Sequence, residues 1–381
     1  MRKKKVCLFT AHSPAGGGGG AILRSLKENI NKVIIDWKYI SDSEVAGYES
    51  GYMGKGFIGG NIFKDLYGTW TMLADRRNAQ IDEIVNKLLA IECDAFWIVS
   101  HNEGLRIALE LVRKQKDRPV HMTVHDDWAG ALCARSRKYK LMASVSRSLT
   151  KKALQEVTNF DVISKGMQHE YLKLSGKTGD VCHRYLLQDA VCVAGTEPIA
   201  DKGIINIGHI GVLYDKKDFI EFLFLVKDFL KKYQKGFQVH MWGYIMDKSE
   251  LPEPLREHVN INASLPEKQV IEELAKCDFV YSMYPMSKAL HMFSMTSLPT
   301  KLTSYMQSGR PIFGHAPADS TLAEFLQTTG LGVLWSAKNK AEGIIALDNI
   351  LKLNPDIKQW QSARDVYFGD KNIEVMENAF V

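Results

Sequence analysis

The chain has 381 residues, long for one hydrophobic core and comfortable for two of about 190 residues each. Hydrophobic residues make up 45% and charged residues 24%, ordinary for a soluble globular protein, and no run of about 18 apolar residues is present to span a membrane. The net charge of +5 is modest, and six scattered cysteines without a C-x-x-C pair suggest neither a zinc knuckle nor a disulfide framework, so a reducing cytoplasm is the expected compartment.

Met1-Arg-Lys-Lys-Lys followed by Val6–Thr10 imitates a signal peptide, but the apolar stretch stops too early, at Ala11-His12-Ser13-Pro14. Lys5–Thr10 reads instead as a first buried strand. Five glycines, Gly16–Gly20, follow it and precede the helix-like Ile22–Leu26. Glycine loses the most entropy on ordering, so the run implies either close backbone approach or a flexible connector. It is not a Walker loop, because no G-K-[ST] follows, and five glycines satisfy G-x-G-x-x-G too easily to discriminate. Its place at the carboxyl end of a strand favours a ligand. Further strands are expected at Val33–Trp37, Asp94–Val99, Pro119–Val124 and Phe160–Ser164, with helices at Gln80–Ile91 and Gly104–Lys114. Strands separated by helices argue for a parallel sheet covered on both faces. The glycine-rich residues 43–70 break this rhythm and read equally as a mobile loop near an acceptor or a plain surface excursion.

Ala194–Pro198 looks like a linker, and the alternation then restarts. Strands are expected at Gly203–Ile210, Phe237–Trp242, Val259–Ile261 and Asp278–Ser282, and helices at Asp218–Tyr233 and Pro266–Lys276. Ser297–Pro311, S-L-P-T-K-L-T-S-Y-M-Q-S-G-R-P, is the most informative stretch. Pro299 and Thr300 are helix-start signals, a short helix runs from about Lys301 to Ser308, Gly309 sits at the C′ position, and Pro311 forbids continuation. Pro311–His315 then reads as a short buried strand. A helix N-terminus with a hydroxyl and a lysine in its first turn is a ready anion site, although an ordinary capped helix carries the same residues.

Charge is uneven. Arg135, Arg137, Lys138, Lys140, Arg147, Lys151 and Lys152 have no acid among them, and Arg113, Lys114, Lys116 and Arg118 precede them. A solvated helix face explains such a run. Attraction to anionic lipid head groups, worth up to about 1 kcal/mol per basic residue, explains it too and would place the protein at a membrane periphery. No stacking aromatics or recognition-helix motif accompany it, so nucleic acid is not an expected partner.

His125-Asp126-Asp127 also closes a strand. A histidine there is often a structural hydrogen-bonder. Adjacent aspartates at a strand end diverge, so no metal site is expected from them.

The 297–311 stretch resembles a family pattern. Pro299, Thr300, Lys301, Leu302, Tyr305, Met306, Gly309 and Pro311 match the P-T-K-L-x-E-Y-(apolar)-x-x-G-x-P motif of nucleotide-sugar glycosyltransferases of the GT-B fold, family 4 and its relatives. Ser304 stands where that motif has a glutamate, and Thr296 where its E-x7-E form has a second acid. The resemblance spans most of the chain, strongest over residues 204–335. It implies an α/β protein of GT-B architecture: two Rossmann-like doubly wound domains facing across a cleft. Residues 1–195 would form the acceptor-side domain, 204–355 the donor domain, and 356–381 a terminal helix returning to the first. The implied activity is transfer of a sugar from a nucleotide diphosphate donor to an acceptor hydroxyl, metal-independent and retaining, with the nucleotide sugar as co-substrate and no other cofactor. The resemblance places Gly17 and Gly18 at the cleft near the diphosphate, and His125 and Asp126 beside the reacting sugar. For the phosphates it implies Gly211 with Lys217 or Lys216, although Val212 replaces the family's arginine, and also Ser297, Thr300 and Lys301. Ser304 would meet the ribose, and Trp242, Gly243 and Leu265 the nucleobase. Two alternatives stay open: a sugar-nucleotide epimerase of the same fold, and a catalytically silent sugar-nucleotide-binding partner subunit.

Overall fold

The computed structural model describes residues 2–56, 63, 66–67, 70, 78–127, 140–190, 203–243, 246–336 and 339–380. Two compact units emerge: residues 1–185 with 295–297 and 370–381, and residues 186–294 with 298–369.

The first unit is a six-stranded parallel sheet of β1 (Lys4–Thr10), β2 (Val33–Tyr39), β3 (Ala95–Val99), β4 (Val120–Val124), β5 (Asn159–Val162) and β6 (Asp180–Val181), in the order β2-β1-β3-β4-β5-β6. β3 and β4 are buried along their whole length, as a sheet covered on both faces requires. The chain runs outward from β1 in both directions, so the sheet reverses its winding between β1 and β3. That is the point where open α/β sheets bind ligands, beyond the carboxyl ends of the strands. His12 follows β1, His101 follows β3 and His125 follows β4.

The second unit repeats this architecture with β7 (Ile204–Ile210), β8 (Gly236–Trp242), β9 (Val259–Asn262), β10 (Phe279–Met283), β11 (Ile312–His315) and β12 (Gly332–Trp335), in the order β12-β11-β10-β7-β8-β9. Its winding reverses between β7 and β10. The core is aromatic: Phe222 stacks on Tyr281 with centroids 4.1 Å apart, and Phe219, Phe229, Phe279 and Phe313 are buried around them. The register pairs Ile210 with Trp242, so the turns that begin at Gly211 and Gly243 leave the sheet side by side.

One expectation changes, and two points the sequence left open take a definite form. The glycine run is not a connector. The helix that follows starts inside it and spans Gly17–Asn29, with Gly16 at the N-cap. Gly17 holds φ at +69°, which a side chain would strain, and a Cβ on Gly19 would stand 3.0 Å from Nδ1 of His125. Backbone conformation therefore explains Gly17, and close approach explains Gly19 and Gly20, where a Cβ would stand 3.0 Å from the Pro14 carbonyl. Residues 356–381 form two helices: Ile357–Tyr367 lies in the second unit and Lys371–Phe380 in the first. The turn at Phe368–Asp370 separates them, and the first opens with its own Asp356–Gln359 capping box. The basic residues before the long run are largely engaged. Arg113 pairs with Glu110, Lys114 pairs with Asp82, and Arg118 lies over the Phe96 ring while donating to the Leu89 and Ile91 carbonyls. Arg135, Arg137, Lys138, the linker 194–198 and Gly59, Gly60 and Gly68 lie outside the described residues. Among the described residues no helix is long and apolar enough to cross a membrane.

Candidate functional site

In the second unit the informative stretch folds as its chemistry suggests. Lys301–Ser308 is a helix, and Gly309 closes it at φ +65°. Leu302, Tyr305 and Met306 are fully buried. The Tyr305 hydroxyl donates to the Tyr281 carbonyl at 2.8 Å and accepts from the Ile210 N–H at 3.3 Å, pinning the helix to β10 and β7. Thr300 sits at the N-cap without using its side chain there. The motif thus divides into anchoring residues and a helix N-terminus, where the Leu302 and Thr303 N–H groups donate to the Pro299 and Thr300 carbonyls.

Lys301 is the first residue of that helix. Its Nζ donates to the Val212 carbonyl at 3.3 Å and lies 5.6 Å from the centre of the Tyr214 ring. The ammonium therefore reaches the turn after β7, at the residue where the resembling family carries arginine. Desolvation lowers its pKa to about 7. Its two recorded contacts, a carbonyl and a ring face, carry no full negative charge. Beside it, His209 is fully buried, with Nδ1 near the Tyr281 carbonyl and Nε2 near that of Gly211. Burial first, and the Lys301 charge second, push its pKa down to about 3, so it is neutral.

Gly211 adopts φ +72°, as the turn demands, and its N–H donates to the Trp242 carbonyl at 2.9 Å. The next helix, Lys216–Lys231, is capped by Asp215, whose carboxylate accepts from the Lys217 N–H at 2.8 Å. Lys216 is ion-paired with Glu250, whereas Lys217 is exposed. The structure thereby separates two lysines that the sequence left equivalent. Trp242 is buried and packs against His240, with centroids 5.9 Å apart, so its face is not offered to a nucleobase as stacking would need. Gly243 (φ +74°), Ser264 and Leu265 are exposed at the adjoining strand ends. Ser304 is buried, and its hydroxyl lies 3.5 Å from Oε1 of Glu267, the first residue of the Glu267–Ala275 helix. An acid thus reaches the place of the missing family glutamate from another element. Only the Pro266-Glu267 helix start signalled it in the sequence.

In the first unit a cavity of about 360 Å³ opens at the glycine turn. His12, Ser13, Gly16–Gly20, His101, His125 and Asp126 line it. His125 is 7% exposed, and its Nε2 is buried without a hydrogen-bond partner among the described residues. Burial lowers its pKa to about 3, with smaller contributions from His12, His183 and His101. His12, which the sequence did not single out, has its Nδ1 3.1 Å from the Ser13 carbonyl. A carbonyl only accepts, so Nδ1 carries the proton and Nε2 keeps a lone pair. Burial lowers the His12 pKa to about 4. His101 meets His12 edge-on at 5.9 Å. Asp126 has its pKa raised by desolvation and bonds the Ser297 side chain. Asp127 diverges and accepts from the Tyr171 hydroxyl at 3.1 Å. Ser297, grouped by sequence with Thr300 and Lys301, belongs to the first unit and serves Asp126. Thr296 also lies there, and its carbonyl accepts from Ser164 at 2.6 Å. Gly17 and Gly18 line this same cavity. Among the described residues, no three His, Cys, Asp or Glu side chains are grouped to hold a metal ion.

No protein-family model matches the sequence, and no curated protein matches it. Solved structures do. A sucrose-phosphate synthase from Thermosynechococcus elongatus superposes with a TM-score of 0.68 at 13% identity, covering 98% of this chain and 97% of that one. An α,α-trehalose 6-phosphate synthase from Burkholderia multivorans gives 0.61 at 12%, covering 100% and 97%. A protein assigned as a UDP-N-acetylglucosamine 2-epimerase from Listeria monocytogenes gives 0.54 at 11%, covering 100% and 94%. The fold is GT-B. At such identities the likeness speaks for the fold alone, and the site must carry the function.

Proposed function

We propose that the chain is a glycosyltransferase that moves a sugar from a nucleotide diphosphate to an acceptor hydroxyl. The observation that carries this reading is the Lys301 ammonium, desolvated at a helix N-terminus and held at the turn after β7. A cation poised there, with the helix dipole behind it and Lys217 exposed nearby in sequence, suits a diphosphate. As the glycosidic carbon–oxygen bond breaks, its electron pair leaves with the diphosphate. Lys301 and Lys217 neutralise that charge as it develops, without calling on a divalent cation. Glu267 and Ser304 take the ribose hydroxyls, and the exposed backbone of Gly243 and Leu265 takes the base edge. His125 and Asp126 take the sugar.

Two further features belong to this reading. Transfer retains the anomeric configuration, as in the resembling family, and the anomeric proton of the first-formed product reports it. The exposed Arg147 and Lys151 on the Lys140–Glu156 helix give the protein a weak affinity for anionic membranes, which vesicle co-sedimentation tests.

Thermal shift with a panel of nucleoside diphosphates tests the central reading. Specific binding at 100 times Kd stabilises by about 2.7 kcal/mol, and no shift with any nucleotide would end it. The epimerase with the same fold is the competing reading. Incubation of nucleotide sugars without an acceptor separates the two: an epimerase inverts one carbon of the donor, and a transferase leaves it unchanged or hydrolyses it.

A further inference from the structure

One helical face of the first unit exposes aromatic rings to water. Phe63, Leu66, Tyr67 and Trp70 are helical, and Phe63, Tyr67 and Trp70 fall at i, i+4 and i+7, the spacing that puts side chains on one face. The three aromatics are 80%, 71% and 59% exposed, and Phe63 and Tyr67 exceed every other large apolar side chain among the described residues. Single exposed apolar residues are ordinary, but three aromatics on one helical face form a contact surface. We infer that this face docks on an anionic bilayer, with its rings seated at the level of the lipid head groups.

Placement, charge and residue type support it. The stretch is preceded by Gly56, where a Cβ would stand 3.1 Å from Oε1 of Glu103, two residues past His101 and beyond the carboxyl end of β3. It is followed by Asn78, which caps the Ala79–Leu89 helix and shares a groove with Arg106 in the first turn of the Gly104–Lys114 helix. Both tethers belong to the carboxyl rim of the sheet, the side on which the cavity lined by His101 opens. In the sequence Lys64, Arg76 and Arg77 of this stretch outnumber Asp65 and Asp75, and Lys55 before it is exposed. The first unit is basic as a whole, whereas the second is not. That balance favours anionic lipid and opposes self-association, which would bring two basic faces together. Tyrosine and tryptophan suit the boundary between head groups and acyl chains, because each has an apolar body and a polar tip. A helix with aromatics on one side and basic residues beside them lies in that boundary. This contact is distinct from the attraction proposed for Arg147 and Lys151, and it does not depend on the glycosyltransferase reading. Apolar insertion survives salt, and attraction between exposed charges does not.

Co-sedimentation of the whole protein with vesicles of phosphatidylcholine and phosphatidylglycerol separates the two contacts. It is run at low salt and at about 1 M salt, where charges are screened beyond about 3 Å. The wild type should stay bound at high salt. The triple variant Phe63→Ser, Tyr67→Ser, Trp70→Ser should bind at low salt but lose at least about tenfold in affinity at high salt. Its melting temperature should not fall, because the three side chains are exposed. Arg147→Gln with Lys151→Gln should weaken only the low-salt binding. Lipids brominated on their acyl chains should quench the wild type more than Trp70→Phe, the difference isolating one of the seven tryptophans. Release of the wild type by salt as complete as that of the triple variant overturns the inference, and so does equal quenching of wild type and Trp70→Phe. A dimer in sedimentation equilibrium that the triple variant abolishes overturns it as well, because the face then belongs to a second copy.

Discussion

Raising the pH should weaken nucleotide binding, because the lysine proposed to receive the diphosphate is half discharged near neutrality. Lys301 titrates at about 7 in the free protein, below its usual 10.5, because its ammonium is desolvated. A bound diphosphate favours the charged form and pulls that value back up, so binding takes up a proton. The sign follows: affinity is greatest below pH 7 and falls as pH rises through and above 7. Each unit above 7 costs up to tenfold, or about 1.36 kcal/mol, so moving from pH 7 to pH 9 should cost roughly 50-fold. The ligand's own titration runs the other way. A terminal phosphate loses its second proton near pH 6, which alone would strengthen binding to a cation as pH rises. His209, neutral throughout this range, contributes nothing. Titration calorimetry from pH 6 to 9, in buffers of different ionisation enthalpy, measures both affinity and proton uptake, with about half a proton expected at pH 7. Lys301→Arg, always charged, should flatten the profile. The free protein should respond in the opposite sense. The folded pKa of Lys301 lies below its unfolded value, so its contribution to stability rises between pH 7 and 10.5. Wild-type affinity that is flat or rising from pH 7 to 9, with no proton uptake, would refute the assignment of Lys301 to the diphosphate.

Other outcomes follow from the same geometry. Lys217→Ala should cost about 1.5–3 kcal/mol in nucleotide affinity by calorimetry, the scale of a charge-assisted contact, whereas Lys216→Ala, already paired with Glu250, should change it little; equal effects would dissolve the distinction. His125→Ala should lower kcat far more than it lowers affinity for the nucleoside diphosphate, and equal losses in both would make His125 structural. Glu267→Gln should lower nucleotide affinity by about 1.5 kcal/mol or more, with the loss shrinking for the 2′-deoxy nucleotide; an identical loss with both ligands would place Glu267 off the ribose. Activity of the purified protein should survive chelation by EDTA, and recovery only on adding Mg²⁺ or Mn²⁺ would show that two lysines do not suffice.

Much of the fold was legible because buried parallel strands read as short apolar runs, and ten of the twelve strands did so. β3, β4, β8 and β10 start and stop within a residue or two of their expected places. β6 escaped because two residues, Asp180 and Val181, carry no periodicity. β12 escaped because Gly332–Trp335 is only partly buried and lacks clear turn signals. The glycine run misled in the other direction. Glycine is a poor helix former, so a helix starting at Gly17 contradicts local propensity, and the approach of His125 to Gly19 and of the Pro14 carbonyl to Gly20 leaves no room for larger residues in its first turn. That is a tertiary reason, invisible from position 17.

The site was legible in the parts that local chemistry dictates and hidden where partners come from afar. Thr300, Lys301 and Gly309 follow from helix-end rules, so their places were open to inference. What Lys301 reaches was not, because Val212 lies 89 residues away and Tyr214 nearly as far. The same distance hid Glu267 from Ser304 and His12 from His125. The division inside the 297–311 stretch makes the point most sharply. Ser297 and Lys301 are four residues apart, yet one supports Asp126 in the first unit and the other stands at the turn after β7 in the second. Pro299 and the helix start lie between them, and the helix that follows is pinned by Tyr305 within the second unit. A motif that reads as one binding segment is therefore two half-segments with separate tasks. The acids absent at 296 and 304 bear on each task differently. At Thr296 the recorded contact is the backbone carbonyl, which accepts from Ser164 in the first unit. Ser304, by contrast, faces Glu267, so the charge lost from the helix is returned by its neighbour. The departure from the family pattern is thus a relocation of charge at one position and a true loss at the other, which leaves the ribose end of the proposed donor site with a carboxylate and the sugar end dependent on His125 and Asp126.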